Sequence, residues 1–282
     1  MAGASLRAMM RHRRPKFGTY VIEFDSPGMG HLCRAAGCDF VIVDMEHSGF
    51  TYDQLKRMLR YYQAAELPVI VNTPMHDHDV IARACDMGAD GIQPSKVGSA
   101  EEARAIIEHM RYPPKGRRGV ALGIAHDRYR PGAVAAKLDA ANRELVFFPK
   151  IETPEGIENI ESIAALPDVA GIWIGHFDLS VGMGIPAQFE HPAYRAAMKR
   201  VREACRRHDV SLGRIADNPA TGRALNRAGF DFLCYSGDSW LLREGLKRAF
   251  DALRDECRPT GATRPTGTTR NSRGAGAHPA TQ

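Results

Sequence analysis

The chain has 282 residues, 44% hydrophobic and 25% charged, with 27 Gly, 17 Pro and a formal net charge of +5. That length can bury a sizeable core in one large domain, and the composition is globular rather than fibrous or wholly disordered. No apolar run approaches the ~18 residues of a membrane helix, and the basic start MAGASLRAMMRHRRPK has no apolar run behind it as a secretory signal would, so a cytoplasmic location is expected.

The positive charge is local. Residues 1–16 carry five cations and no acid, and residues 258–282 carry four cations and no acid. The chain between them is therefore acidic, which argues against nucleic acid as a partner. The reading is a basic N-terminal extension at 1–16, one domain at 17–257 and a Pro/Gly/Thr-rich disordered tail at 258–282. Six cysteines without a C-x-x-C pair read as reduced thiols.

In chain order, apolar runs at 19–24, 40–44, 69–73, 91–94, 145–151, 171–175, 212–216 and 232–236 read as strands. They are continuous rather than alternating, as in strands covered on both faces. Amphipathic helical patterns lie between them, among them YDQLKRMLRYYQAA and DHDVIARACDMG. Ser99 with Glu102 reads as a capping box, Pro154 as a first helical turn, and Gly37, Gly88 and Gly229 as residues that end helices. Eight strand–helix units predict an α/β fold, a (β/α)8 TIM barrel. A doubly wound open sheet shares the alternation, but no G-x-G-x-x-G follows a strand here. The segment 111–142 is long for a connection and reads as a lid or an interface arm.

In a barrel, polar residues at C-terminal strand ends carry the chemistry. The second strand runs into Asp44-Met45-Glu46-His47, a histidine close to carboxylates and so a candidate general base. The fifth strand ends at Lys150-Ile151-Glu152, where alternation puts Lys150 and Glu152 on one face. The sixth ends at Gly175-His176-Phe177-Asp178. Glu152 and Asp178, on neighbouring ends, suit a hard divalent cation. Asn72 ends the third strand and is read either as a substrate contact or as a turn residue. His76 and His78 form an H-x-H, but they precede a helix that Asp77 caps, which favours a structural role over a metal pair.

These motifs, VDMEHSGF, SAEEARAIIEHMRYPPKGRRGV, PKIETPEGIENI and GIWIGHFDLSVGMG, together resemble the metal-dependent (class II) pyruvate aldolases of the HpcH/HpaI family. The resemblance implies His47 as the catalytic histidine, Asp44 as the acid that orients it, and Glu152 and Asp178 as ligands of Mg²⁺, Mn²⁺ or Co²⁺. The backbone of Phe177, beside Gly175, matches a contact to the pyruvate carboxylate. Two positions depart from the family pattern: Asn72 stands where those enzymes have arginine, and Lys150 where they have glutamine. Lys150 is therefore expected to share in anion binding.

The implied reaction is reversible retro-aldol cleavage of a 4-hydroxy-2-keto acid to pyruvate, or a close 2-keto acid, and an aldehyde, through a metal-stabilised enolate. Three other readings stay open: a Schiff-base aldolase using Lys150, a related lyase or isomerase on another small acid or acyl-CoA, and a non-catalytic binding protein. The resemblance also implies a homo-oligomer, a hexamer in which DSWLLREGLKRAFDALR is a C-terminal helix exchanged between subunits.

Overall fold

A computed structural model describes residues 5–257; the tail at 258–282, expected to be disordered, lies outside them. The strands are β1 (Lys16–Val21), β2 (Phe40–Asp44), β3 (Val69–Thr73), β4 (Gly91–Pro94), β5 (Val146–Phe147), β6 (Lys150–Ile151), β7 (Gly171–Ile174), β8 (Ser211–Ala216) and β9 (Phe232–Gly237). The helices are α1 (Leu6–Met9), α2 (Met29–Ala35), α3 (Tyr52–Ala64), α4 (His78–Asp86), α5 (Ala100–Met110), α6 (Val134–Glu144), α7 (Pro154–Glu158), α8 (Ile160–Ala164), α9 (His176–Gly182), α10 (Pro192–Arg207), α11 (Pro219–Arg227) and α12 (Asp238–Glu256). No helix among the described residues is long and apolar enough to cross a membrane.

All strand pairs are parallel, in the order β5-β4-β3-β2-β1-β9-β8-β7-β6. The two outermost strands are neighbours in sequence, separated only by Phe148-Pro149. The expected strand at 145–151 is thus two short ones. Phe148 N–H donates to Ile92 O on β4 (2.9 Å), and from Pro149 onward the bonding changes sides, with Trp173 N–H of β7 donating to Pro149 O (3.0 Å). Pro149 has no N–H to continue the ladder, which breaks the strand there. The result is a curled, TIM-barrel-like α/β sheet. The first strand starts earlier than expected, with Lys16 pairing to Phe232 of β9, and it stops at Val21, where the Asp238 carboxylate takes the N–H groups of Ile22, Glu23 and Phe24 (2.9–3.1 Å) away from any ladder.

Alternation splits the strands between two cores. Val41, Val43, Val69 and Val71 pack outward against the helices. Phe40, Ile42, Ile70, Val146, Phe148, Trp173 and Phe232 fill the inner face. Large rings need small neighbours there: a Cβ on Gly171 would sit 1.6 Å from Phe148. Of residues 1–16, set apart as a basic extension, Leu6, Met9 and Met10 are buried in this inner core. Lys16 opens β1.

The predicted helix signals take their places. Thr153 caps α7 ahead of Pro154, and Gly37, Gly88 and Gly229 have φ of 89°, 91° and 99°. Ser99 caps α5 by accepting from Glu102 N–H, although the Glu102 carboxylate reaches Gly98 N–H and not Ser99. α6 occupies the end of the long 111–142 segment. All six cysteines are free. A second compact unit begins at Arg243, within α12. Leu242, Leu246, Phe250 and Leu253, spaced at helical intervals along α12, are each about half exposed.

Beneath the inner core lies a buried ion pair. Lys16 Nζ donates to Asp231 Oδ2 (2.8 Å), and Asp231 also accepts from Ser211 Oγ (2.9 Å) and Leu212 N–H (2.8 Å). Both side chains are 3% exposed. Burial lowers the Lys16 pKa, opposed by Asp231. Asp231→Ala strands the ammonium and is expected to destabilise by about 3–5 kcal/mol, whereas replacing both partners by apolar residues costs less; denaturant unfolding of the single and double variants measures the difference.

Candidate active site

The inner-face parity that places Phe40, Ile42, Ile70 and Phe148 continues to Asp44, Asn72, Lys150 and Glu152 at the strand ends. Register aligns Asp44 with Asn72 and Asn72 with Gln93. All of these polar residues are buried, from 0% exposure for Asn72 to 6% for Lys150.

Asp44 was expected to orient the His47 imidazole, and the structure gives it a different task. Its Oδ1 accepts from the backbone N–H of Glu46 (2.7 Å) and His47 (3.2 Å) and from Asn72 Nδ2 (2.9 Å). A carboxylate that bonds the next two or three N–H groups shapes the turn. Asp44 therefore sets the path of the loop that carries His47. The acid beside the ring is Glu46, whose Oε2 lies 3.5 Å from His47 Nε2; the His47 side chain is 64% exposed.

Glu46 Oε2 is the hub of the site. It accepts from Lys150 Nζ (2.7 Å), Asn72 Nδ2 (3.2 Å) and Ser95 Oγ. Burial alone would raise its pKa, but the Lys150 ammonium and these donors bring it down to about 2. The same Lys150 ammonium stands 3.7 Å from Glu152 Oε2. The cation missing from position 72 is thus present at the mouth, engaged by Glu46. The importance of Glu46 and Ser95 escaped the residue pattern. Ser95 could have been found by parity, two residues beyond the inward Gln93.

Glu152 is 3% exposed; its Oε1 accepts from Lys96 N–H (2.8 Å). Burial pushes it up to about 7, against the pull of Lys150, with Glu46 and Asp178 raising it further. A Cβ on Gly175 would fall 2.0 Å from Glu152 Oε2, so only glycine leaves the carboxylate its place. That defines Gly175 as the seat of Glu152. Asp178 is exposed. Among the described residues no group of three or more His, Cys, Asp or Glu converges on one point. Two carboxylates, one held in a glycine-walled seat, nonetheless fit a hard divalent cation that keeps waters or substrate oxygens as its other ligands.

Phe177 is partly exposed and packs on His176 (4.5 Å) and Phe189 (5.4 Å) between ring centroids. The α9 ladder begins with Leu179 N–H to Gly175 O, leaving the Phe177 N–H outside it. His176 is 4% exposed, and burial, then the charge of Arg214, lowers its pKa well below the usual imidazole range.

Because the Glu152 pKa is raised on folding, the folded state binds the proton more tightly, and stability present below about pH 4.5 is lost as pH rises through about 7. In metal-free protein Glu152→Gln should remove this loss, amounting to roughly 3 kcal/mol at pH 8; unfolding curves at pH 5 and pH 8 in a chelator measure it.

Known proteins share this arrangement of strands. A family model described as HpcH/HpaI aldolase/citrate lyase matches residues 17–242. The chain is 32% identical over 213 residues to a hydroxypyruvate/pyruvate aldolase of Chromohalobacter salexigens, covering 76% of this chain and 84% of that one. It is 27% identical to a 2-keto-3-deoxy-L-rhamnonate aldolase of Klebsiella pneumoniae, covering 78% and 82%. Among solved structures, an HpcH/HpaI aldolase from Desulfitobacterium hafniense superposes with a TM-score of 0.84 at 28% identity, over 89% of this chain and 97% of that one. Match and fold agree: the chain belongs to the HpcH/HpaI aldolase/citrate lyase family.

Proposed function

We propose that the chain is an aldehyde-lyase that reversibly cleaves a 4-hydroxy-2-keto acid to pyruvate, or a close 2-keto acid, and an aldehyde. The observation that carries this reading is the pairing of His47 with Glu46 at the mouth that also presents Glu152 and Asp178. A base must stand beside an electrophilic site for an aldol bond to break, and this mouth offers both.

Glu152 and Asp178 would hold the divalent ion, Mg²⁺, Mn²⁺ or Co²⁺. When bound, it supplies the Lewis acid that favours negative charge on a 2-keto oxygen. His47 accepts the proton of the C4 hydroxyl at Nδ1 in cleavage and returns it in condensation. Glu46 faces the other ring nitrogen, Nε2, and stabilises the imidazolium, and Asp44 holds the loop on which both sit. Lys150 and Asn72 place positive charge and an amide beside the substrate. The Phe177 N–H and the Gly175 turn lie where the 2-keto acid carboxylate would rest. A Schiff-base lysine must present a free amine; Lys150 Nζ is engaged by Glu46 at 2.7 Å, which supports the metal route.

We read β5 and β6 as halves of one barrel strand, giving eight strands. The half-exposed apolar row of α12 is read as the face exchanged with a second copy, within a hexamer in the cytoplasm.

Cleavage and condensation assayed with pyruvate and a panel of aldehydes, with and without EDTA and each metal, test the reading. Activity abolished by EDTA and restored by metal is expected; silence with every metal overturns it, and EDTA-resistant activity with borohydride trapping moves it to the Schiff-base route. His47→Ala should lower turnover by about 10²–10⁴. Lys150→Ala should raise the KM for pyruvate or abolish turnover, and wild-type kinetics in that variant would remove Lys150 from the site.

A further inference from the structure

His76, between β3 and α4, has a well-defined set of partners. Its Nδ1 lies 2.7 Å from Glu102 Oε1 on α5, and its Nε2 contacts the backbone carbonyl of Ser95. A carboxylate and a carbonyl can only accept, so both ring nitrogens must donate, and the ring is an imidazolium. The other groups facing it are consistent with that state. His109 Nδ1 donates to His76 O (3.0 Å), and Arg117 donates to His109 Nε2 (2.6 Å). Arg117 can only donate, so His109 Nε2 accepts and this second ring is neutral; burial, against the His76 carbonyl and with Arg117, lowers its pKa. His78 stacks edge-on against His109 at 5.1 Å, and Arg117 Nε lies 3.7 Å from Glu108. Both His76 ring nitrogens already have protein partners, which favours a structural role for the H-x-H.

Glu102 is a fixed anchor, because its other oxygen accepts from Gly98 N–H (2.7 Å) while its own N–H is held by Ser99 Oγ (3.1 Å). The imidazolium thus ties the Ser95 carbonyl to the start of α5. Ser95 is 1% exposed; its N–H donates to Thr73 O (3.1 Å), and its hydroxyl donates to Glu46 Oε2. With both backbone groups secured, the hydroxyl is held where it meets Glu46 Oε2, the nearer of its two acceptors, the other being Asn72 Oδ1 at 3.3 Å.

We infer that His76, in its doubly protonated form, is a positioning residue for the His47–Glu46 pair and acts through Ser95. The inference rests on the aldol reading above, since it gives the pair work to do. His76 touches no reacting atom; it holds the residue whose hydroxyl donates to the same Glu46 oxygen as Lys150.

Two measurements test it. Nitrogen-15 NMR of the imidazoles in the full-length protein should find both His76 nitrogens protonated at neutral pH and His109 singly protonated; a neutral His76 overturns the clamp whether or not turnover is seen. In the aldol assay, His76→Gln and Ser95→Ala should each lower kcat about tenfold with little change in the KM for pyruvate. The double variant should be no worse than the more impaired single, because both remove one route to Glu46. Additive losses, or wild-type kcat in His76→Gln, overturn the positioning role and leave the aldol reading intact. Absence of any aldol turnover in the wild-type protein overturns both the positioning role and the aldol reading.

Discussion

The Glu46–Lys150 ion pair, 2.7 Å across the mouth of the curled sheet, is the interaction around which the site is arranged. Removing two charges from water costs several kcal/mol per ion, and only close geometry with further hydrogen bonds offsets it. Asn72 and Ser95 supply those bonds on the Glu46 side. Lys150 is at once the counter-charge of Glu46 and a near neighbour of Glu152. The two acids respond differently: Glu46 is held ionised by the ammonium, whereas burial, with Glu46 and Asp178, pushes Glu152 up to about 7 against the pull of Lys150. Two carboxylates that share one ammonium neighbour are thereby given different chemistry by burial and charge.

The interior of the sheet is layered along its length. Lys16 and Asp231 form a buried pair beneath the inner core, aromatic rings fill the middle, and the Glu46–Lys150 pair forms the top. The helix-borne Leu6 and the adjoining Met10 complete the lower part of the core. Each ion pair is anchored to different strands, so it also fixes their relative register. A rigid scaffold of this kind suits an exposed histidine, whose ring is left free to meet a substrate while its backbone is held by Asp44.

Much of the site was legible in the residues. Strand ends at 44, 72, 150 and 152 carry polar side chains after apolar runs, and a period of two places them on the inner face. The pairing among them was not legible. Asp44 and Glu46 are both acids near His47, and proximity in sequence favours neither; the turn that Asp44 makes with the following N–H groups turns Glu46 toward the ring. Ser95 continues the inward parity of Gln93 just past the end of β4, whereas His76 lies in a loop whose direction no periodicity encodes. The role of Leu6 and Met10 was hidden by the arginines among which they sit.

Local sequence alone determined the alternation of strands and helices, the caps at Ser99 and Thr153, the glycine helix ends and the family to which the motifs point. Those features follow from backbone sterics, short-range hydrogen bonds and hydrophobic period, which act over a few residues. The tertiary structure decided where the strand at 145–151 breaks, which acid faces His47 and whether Lys150 stands free or paired. It also gave the positive charge at residue 16 a buried place in the fold, where the residue pattern had assigned it to an extension. These outcomes depend on which distant strand ends become neighbours, and on the cost of burying a charge there, which no local pattern carries.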